Sequence, residues 1–141
     1  MKKVNFNLDW GNNIISGQHT FFLPEHYDIK DFNYNKTTAV AIFKLTKGSD
    51  KFIPVDWPKD LEIVFNSVES LILNVPKKTE KIPGVIYVTG FGYIDLKEPD
   101  FIFDEGVEPD DKSPFHIVFE FSDSSSVMIL AEEVLINIIS K

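Results

Sequence analysis

Cysteine and arginine are both absent from this 141-residue chain. Without cysteine there is no disulfide, no thiolate metal ligand and no cysteine nucleophile. Every one of the 14 basic residues is therefore a lysine, and the net charge is −8. Arginine is the residue that most often makes bidentate contacts with phosphate and guanine, so its absence from an acidic chain argues against nucleic-acid binding.

Long apolar runs are also missing. The first residues, MKKVNFNLDWGNN, lack the continuous apolar stretch of a signal peptide, because Asn5, Asn7 and Asp9 interrupt it. The longest apolar candidate, 127–139, contains two glutamates and falls short of the ~18–20 residues of a membrane span. We therefore expect no membrane segment and a cytoplasmic protein, and the lack of cysteine fits a reducing compartment.

The composition is that of a protein with a packed core. Hydrophobic residues make up 43% of the chain, and 13 phenylalanines supply large apolar side chains. A chain of this length buries enough surface to fold without a disulfide or a metal. No linker or internal repeat divides it, so we predict one domain over residues 1–141.

Alternation of apolar and polar residues predicts strands along most of the chain. The segments with this pattern are 4–10, 38–46, 61–65, 68–75, 85–96, 115–121 and 126–138. The prediction is an all-β or β-dominated fold, an antiparallel sandwich or a strongly curved barrel-like sheet of about seven to eight strands. The alternative is α+β, if 24–36 or 131–138 is helical; helical spacing is weak, with 24–31 after Pro24 and a turn near 131–136 as its candidates.

Two breaks in the alternation predict irregular strands. The apolar parity changes at Asn66–Ser67, which indicates a tight turn or a bulge. It changes again between Ala131 and Val134, which predicts a bulge or short turn at Glu132–Glu133. Between 115–121 and 126–131, the run Ser122 to Ser125 predicts a hairpin turn.

Few residues suggest catalytic or metal chemistry. His19 and His26 lack the spacing of a metal site, and His116 is expected to face outward between two inward phenylalanines. No GxSxG motif is present, and Gly90-Phe91-Gly92 lies in a predicted strand without a following helix. On the same strand, Tyr87, Phe91 and Tyr93 share one face, either core or an aromatic patch. We expect no catalytic residue, no zinc or calcium site and no cofactor.

An acidic segment over 95–111 is the strongest local signal. It carries eight acidic residues against Lys97, so it holds −7 of the net charge of −8 and leaves the rest of the chain nearly neutral. The segment is either a solvated loop, a docking surface for a basic protein, or, least favoured, a calcium site without EF-hand spacing. For docking, the candidate residues are Asp95, Asp100, Phe101, Phe103, Asp104, Glu105, Glu108, Asp110 and Asp111, with the phenylalanines as anchors.

Two segments carry a resemblance to a known family. They are LEIVFNSVESLIL (61–73), with its phenylalanine-asparagine step between two β-runs, and the closing hairpin FHIVFEFSDSSSVMILAEEVLINI (115–138). In these segments the chain resembles small bacterial toxin-immunity proteins. Together they cover about a quarter of the chain. The resemblance implies an intracellular antidote that binds one toxin, and it transfers no catalytic residue.

Three functional classes follow from the sequence. The leading one is a non-enzymatic protein-binding domain, most concretely an immunity protein that neutralises a toxin through its acidic surface. The second is a small-molecule or lipid-binding β-barrel, which the phenylalanine content permits. The third is a small hydrolase-like enzyme with carboxylates such as Asp95, Asp104 and Glu105 as acid and base.

Overall fold

The structure is a computed structural model that describes residues 1–9, 11–50, 52–75, 85–95 and 115–140. These residues form strands and no helix. The strands are β1 (Lys2–Lys3), β2 (Asn7–Leu8), β3 (Ile14–Ser16), β4 (His19–Phe21), β5 (Tyr27–Asn35), β6 (Val40–Lys47), β7 (Asp60–Asn74), β8 (Val88–Asp95), β9 (Phe115–Phe121) and β10 (Ser126–Ser140). The all-β prediction is confirmed.

Most strands belong to one curled, seven-stranded sheet. Its order is β5-β6-β7-β10-β9-β8, and β1 pairs in parallel with β10 beyond the end of β9. The strands β2, β3 and β4 form a separate three-stranded sheet. The large sheet curls into a half-barrel, and backbone hydrogen bonds tie its two ends together, from Ile29 N to Ile86 O at 2.9 Å and from Glu25 N to Val88 O at 2.7 Å.

The predicted first strand, 4–10, is wrong in its extent. The chain forms β1, leaves the large sheet at Val4 and Asn5, and forms β2 against β3 in the small sheet. Phe6 and Leu8 are buried as the alternation predicted, whereas Val4 is 47% exposed. The alternation therefore identified buried side chains, but it did not show that they serve two different sheets.

Both helical candidates are strands instead. The segment after Pro24 turns at Glu25, whose φ is 64°, and then forms β5, which pairs with β6 from Tyr27 to Asn35. The segment 131–138 lies inside β10. Cross-strand pairing outweighs local spacing in both places, because each segment has a long neighbouring strand to pair with.

The two predicted breaks both lie inside continuous strands. In β7, Ser67 has φ of 53° and the strand continues through it. In β10, Ala131 and Val134 are both buried, so the buried parity does change there. The register between β7 and β10 shifts between Leu130 and Ala131, where the extra residue, Glu69, lies in β7. The pairing is in continuous register from Ala131 to Val134, so the bulge predicted at Glu132–Glu133 is wrong.

The core is built around stacked phenylalanines. Phe119 is fully buried on β9 and stacks on Phe43 of β6, with 4.3 Å between ring centroids. The ring centroid of Phe91 on β8 lies 5.2 Å from that of Phe119, and Phe65 of β7 packs edge-to-face against Phe119. One aromatic ring therefore touches side chains from three other strands of the curled sheet.

His116 contradicts the prediction that it faces solvent. Only 6% of its surface is exposed, and it lies opposite Ile94 of β8. Val118, on the same face of β9, is also buried, so β9 is covered on both faces. The Nδ1 atom of His116 is buried and has no hydrogen-bond partner among the described residues, and burial lowers the pKa of the imidazole.

We predict that Phe119→Ala lowers the free energy of unfolding by about 3–5 kcal/mol, because it removes buried apolar surface and leaves a cavity between four strands. Chemical denaturation followed by fluorescence or circular dichroism measures the change. Val55→Ala is the control, since Val55 is 92% exposed and its truncation should cost less than about 0.5 kcal/mol. A loss below about 1 kcal/mol for Phe119→Ala would contradict the core assignment.

We predict a pH dependence that arises from His116. In the unfolded chain a histidine binds its proton near pH 6.5, whereas burial lowers the pKa of His116 in the folded chain. Unfolding therefore takes up a proton as the pH falls below about 6.5, and the free energy of unfolding should decrease. Denaturation at about pH 7.5 and 5.5 measures the decrease in the free energy of unfolding, which should be smaller for His116→Leu than for the parent. Equal decreases in the two proteins would refute His116 as the source of the pH dependence.

Candidate protein-binding cleft

The predicted docking residues lie almost entirely outside the described part of the chain. Asp95 is the last residue of β8, and its backbone pairs with Phe115. Its side chain and all the other candidates lie outside the described residues; these are Asp100, Phe101, Phe103, Asp104, Glu105, Glu108, Asp110 and Asp111. The acidic docking surface therefore stays a prediction.

The aromatic face of β8 belongs to the core. Phe91 and Tyr93 are 3% and 4% exposed and pack in the main hydrophobic cluster. Tyr87, just before β8, is 41% exposed. The sequence left open whether this face is core or an exposed patch, and Phe91 and Tyr93 belong to the core.

A cleft of about 490 Å³ lies between the β3–β4 hairpin and the C-terminal half of β10. It is lined by Asn5, Ser16, Gly17, Gln18, His19, Ile136, Asn137 and Ile138. The lining is mostly neutral and polar: amides, a hydroxyl, an imidazole and backbone. Such groups can donate and accept hydrogen bonds without demanding a charged ligand.

The hairpin forms one wall because its apolar side chains hold it against the core. Ile14 and Phe21 are opposite each other in the β3–β4 pair and are both fully buried. The connection is the two-residue turn Gly17–Gln18, in which Gly17 has φ of 59°, a conformation that glycine adopts without steric cost. The turn places Gln18, which is exposed, at the mouth of the cleft.

The floor of the cleft is an edge of β10 that binds an amide. Val4 N donates to Val134 O at 2.9 Å, the last backbone bond of the β1–β10 pair. At Ile136 the side chain of Asn5 replaces the strand: its Nδ2 donates to Ile136 O at 2.7 Å, and its Oδ1 accepts from Ile136 N at 2.9 Å. One carboxamide thus makes both backbone hydrogen bonds that a neighbouring strand would make with Ile136.

Two residues further along β10, the same edge is open. The N–H and C=O groups of a strand point to alternate sides, so those of Ile138 point to the same side as those of Ile136. Ile138 pairs with Leu61 of β7 on its other side, and the described part of the chain places no strand beside it in the cleft. Within the described residues, the cleft side of β10 at Ile138 therefore has no neighbouring strand, just before the register shift between Ile138 and Ser140.

Among the described residues, no group of three or more His, Cys, Asp or Glu side chains is placed to hold a metal ion. His19 lines the cleft, whereas His26 contacts Trp57 with 5.1 Å between ring centroids. Asp60 accepts a hydrogen bond from Ser140 at 2.7 Å, and this bond, with one from Thr46, lowers the pKa of its carboxyl, as suits an ionised structural group.

Sequence reasoning missed this cleft. The Ser16-Gly17-Gln18 run between two apolar segments is a turn signal that could have predicted the hairpin. No sequence signal places Asn5 beside Ile136, because 131 positions separate them and the contact depends on the parallel pairing of β1 with β10.

Comparisons with known proteins add no relative. No family model matches the chain, and neither a curated protein nor a solved structure is significantly similar to it. The described part of the chain contains no helix that is long and apolar enough to cross a membrane.

We predict that Asn5→Ala lowers the free energy of unfolding by about 1–2 kcal/mol, because it removes two hydrogen bonds and leaves both backbone groups of Ile136 without their partner. Asn5→Asp should also destabilise the protein, since a carboxylate accepts from Ile136 N but repels Ile136 O. Asn7→Ala is the control, because Asn7 is exposed on β2. Equal stability of the Asn5 and Asn7 variants in denaturant titrations would contradict the role of the amide.

Proposed function

We propose that this chain is a non-enzymatic protein-binding domain, most concretely a bacterial immunity protein that neutralises a toxin. The observation that supports it is the open edge of β10 at Ile138, inside a cleft whose neighbouring edge position already binds a carboxamide. An extended peptide segment carries amides at the spacing of a strand, so it can continue the hydrogen bonding that Asn5 begins.

The shape of the cleft favours a peptide over a small apolar ligand. A cavity for a lipid would be enclosed and lined mainly by apolar side chains. This cleft lies at a sheet edge, and five of its eight lining residues have polar side chains: Asn5, Ser16, Gln18, His19 and Asn137. The described residues thus support a protein partner more than the lipid-binding alternative.

The acidic segment supplies the second part of the proposal. It carries most of the net charge of the chain, and a basic toxin would be attracted to it at rates that fall with salt. Charge contributes mainly to the association rate and to specificity, whereas hydrogen bonds and packing in a cleft slow dissociation. The partner is therefore a basic protein with an extended segment available for pairing.

The test uses the product of the larger gene adjacent to the one that encodes this chain, purified in an inactive form. Gln18→Trp places an indole at the mouth of the cleft and should weaken binding by at least about tenfold, mainly through faster dissociation. Thr20→Trp is the matched control, because Thr20 is also exposed in the hairpin but does not line the cleft. Surface plasmon resonance separates the two rate constants.

A second variant tests the acidic segment in the same assay. Asp104→Lys/Glu105→Lys/Asp110→Lys should remain folded, associate more slowly at low salt and show a weaker salt dependence. An unchanged association rate would remove the acidic surface from the proposal and leave the cleft. The immunity function is refuted if the adjacent gene product does not bind the parent chain and is equally toxic to cells with and without the parent chain.

A further inference from the structure

In the described part of the chain, the far end of β7 extends past β6 and has a neighbouring strand on one side only. The pairing of β6 with β7 ends at Ala41 and Phe65, and Val68 N donates to Ala39 O at 2.8 Å. Beyond Val68, β7 continues to Asn74 and pairs with β10 on one side only. Within the described ranges no strand lies on its other side, and we call the segment 70–74 the β7 overhang.

The β7 overhang is apolar and exposed. Ile72 is 50% exposed and Leu73 is 55% exposed, and Val75, which follows the overhang, is also 55% exposed. Proteins usually protect a free strand edge with charged residues or proline, which discourage pairing with another chain. Between Val68 and Val75 the only charged residue is Glu69, although the chain carries 22 acidic residues in all. Residues 70–74 themselves therefore contain none of these protective residues, although Pro76, Lys77 and Lys78 follow shortly after them in the sequence.

We propose that the β7 overhang pairs with the same segment of a second copy, in antiparallel orientation about a two-fold axis at Ile72. The segment reads Ser-Leu-Ile-Leu-Asn, so it is symmetric in character about its centre. In this register Ile72 faces its own copy, Leu71 faces Leu73, and Ser70 faces Asn74. Apolar residues meet apolar residues and polar residues meet polar residues across both halves, which is the self-complementarity that a two-fold interface requires.

The overhang itself places no like charges opposite each other in this register. Residues 70–74 include no charged side chain, so the net charge of −8 that each chain carries does not arise from residues that the proposed pairing brings together.

Sedimentation velocity of the full chain over a range of concentrations tests the proposal. The parent should show a monomer–dimer equilibrium. Ile72→Lys places two like charges opposite each other on the two-fold axis and should raise the dimer dissociation constant at least about tenfold. Ile139→Lys is the matched control, because Ile139 is also an exposed isoleucine, on β10, and that variant should dimerise as the parent does. Circular dichroism checks that both variants fold.

Rescue by the opposite charge identifies the register. An equimolar mixture of Ile72→Lys and Ile72→Glu should form a heterodimer, since the two side chains face each other only if the axis passes through position 72. Because the chain has no cysteine, Ile72→Cys offers an independent measurement: mild oxidation should give a disulfide-linked dimer, and Ile139→Cys should not.

Three results would overturn the proposal: a parent that stays monomeric up to about 1 mM, an Ile72→Lys variant that still dimerises like the parent, or an Ile72→Cys variant that cross-links no faster than the Ile139→Cys control. A monomeric parent would leave the β7 overhang to solvent or to another protein. The proposal is independent of the proposed function, because Gln18→Trp changes the cleft at β10 and should leave dimerisation unchanged.

Discussion

The backbone pairing of β7 with β10 is the interaction on which the rest of the molecule depends. It extends from Asp60 with Ser140 to Asn74 with Ser126, along the full length of both strands. The other strands of the large sheet pair outward from these two. On one side β6 pairs with β7, and β5 pairs with β6. On the other side β9 and β1 pair with β10, and β8 pairs with β9. Without this ladder, only the backbone hydrogen bonds near the start of β5 and of β8 would join the β5-β6-β7 strands to the rest of the large sheet.

The length of that pair also explains why the molecule has open edges. β6 pairs with only the first part of β7, and β9 and β1 each pair with only a short part of β10. The two long strands therefore extend beyond their neighbours, one at the β7 overhang and the other at the cleft beside Ile138. Among the described residues, the β7 overhang and the β10 side of the cleft are therefore both consequences of unequal strand lengths.

The sequence predicted the fold class well because alternation reports which side chains are buried. Phe115, Ile117, Phe119 and Phe121 are inward as predicted, and the parity change near Ser67 marks a real irregularity. Alternation carries no information about the neighbour of a strand. It therefore could not divide residues 4–8 between two sheets, show that both faces of β9 are covered around His116, or place Asn5 against Ile136. The cleft depends on all such long-range pairings, so it was not predictable from local pattern.

The parallel pair of β1 and β10 has a consequence for the order in which the chain can fold during synthesis. Asn5 and Ile136 are 131 positions apart, so the ribosome makes the first residues of this contact long before the others. The β5–β6 and β6–β7 hairpins can form early, but β7 lacks its principal partner, and β1 has no sheet to join, until β10 leaves the exit tunnel. Non-local pairing of this kind slows folding. Completion of the sheet therefore waits for β10, and until β10 is available β7 and β1 both lack the strand with which they pair.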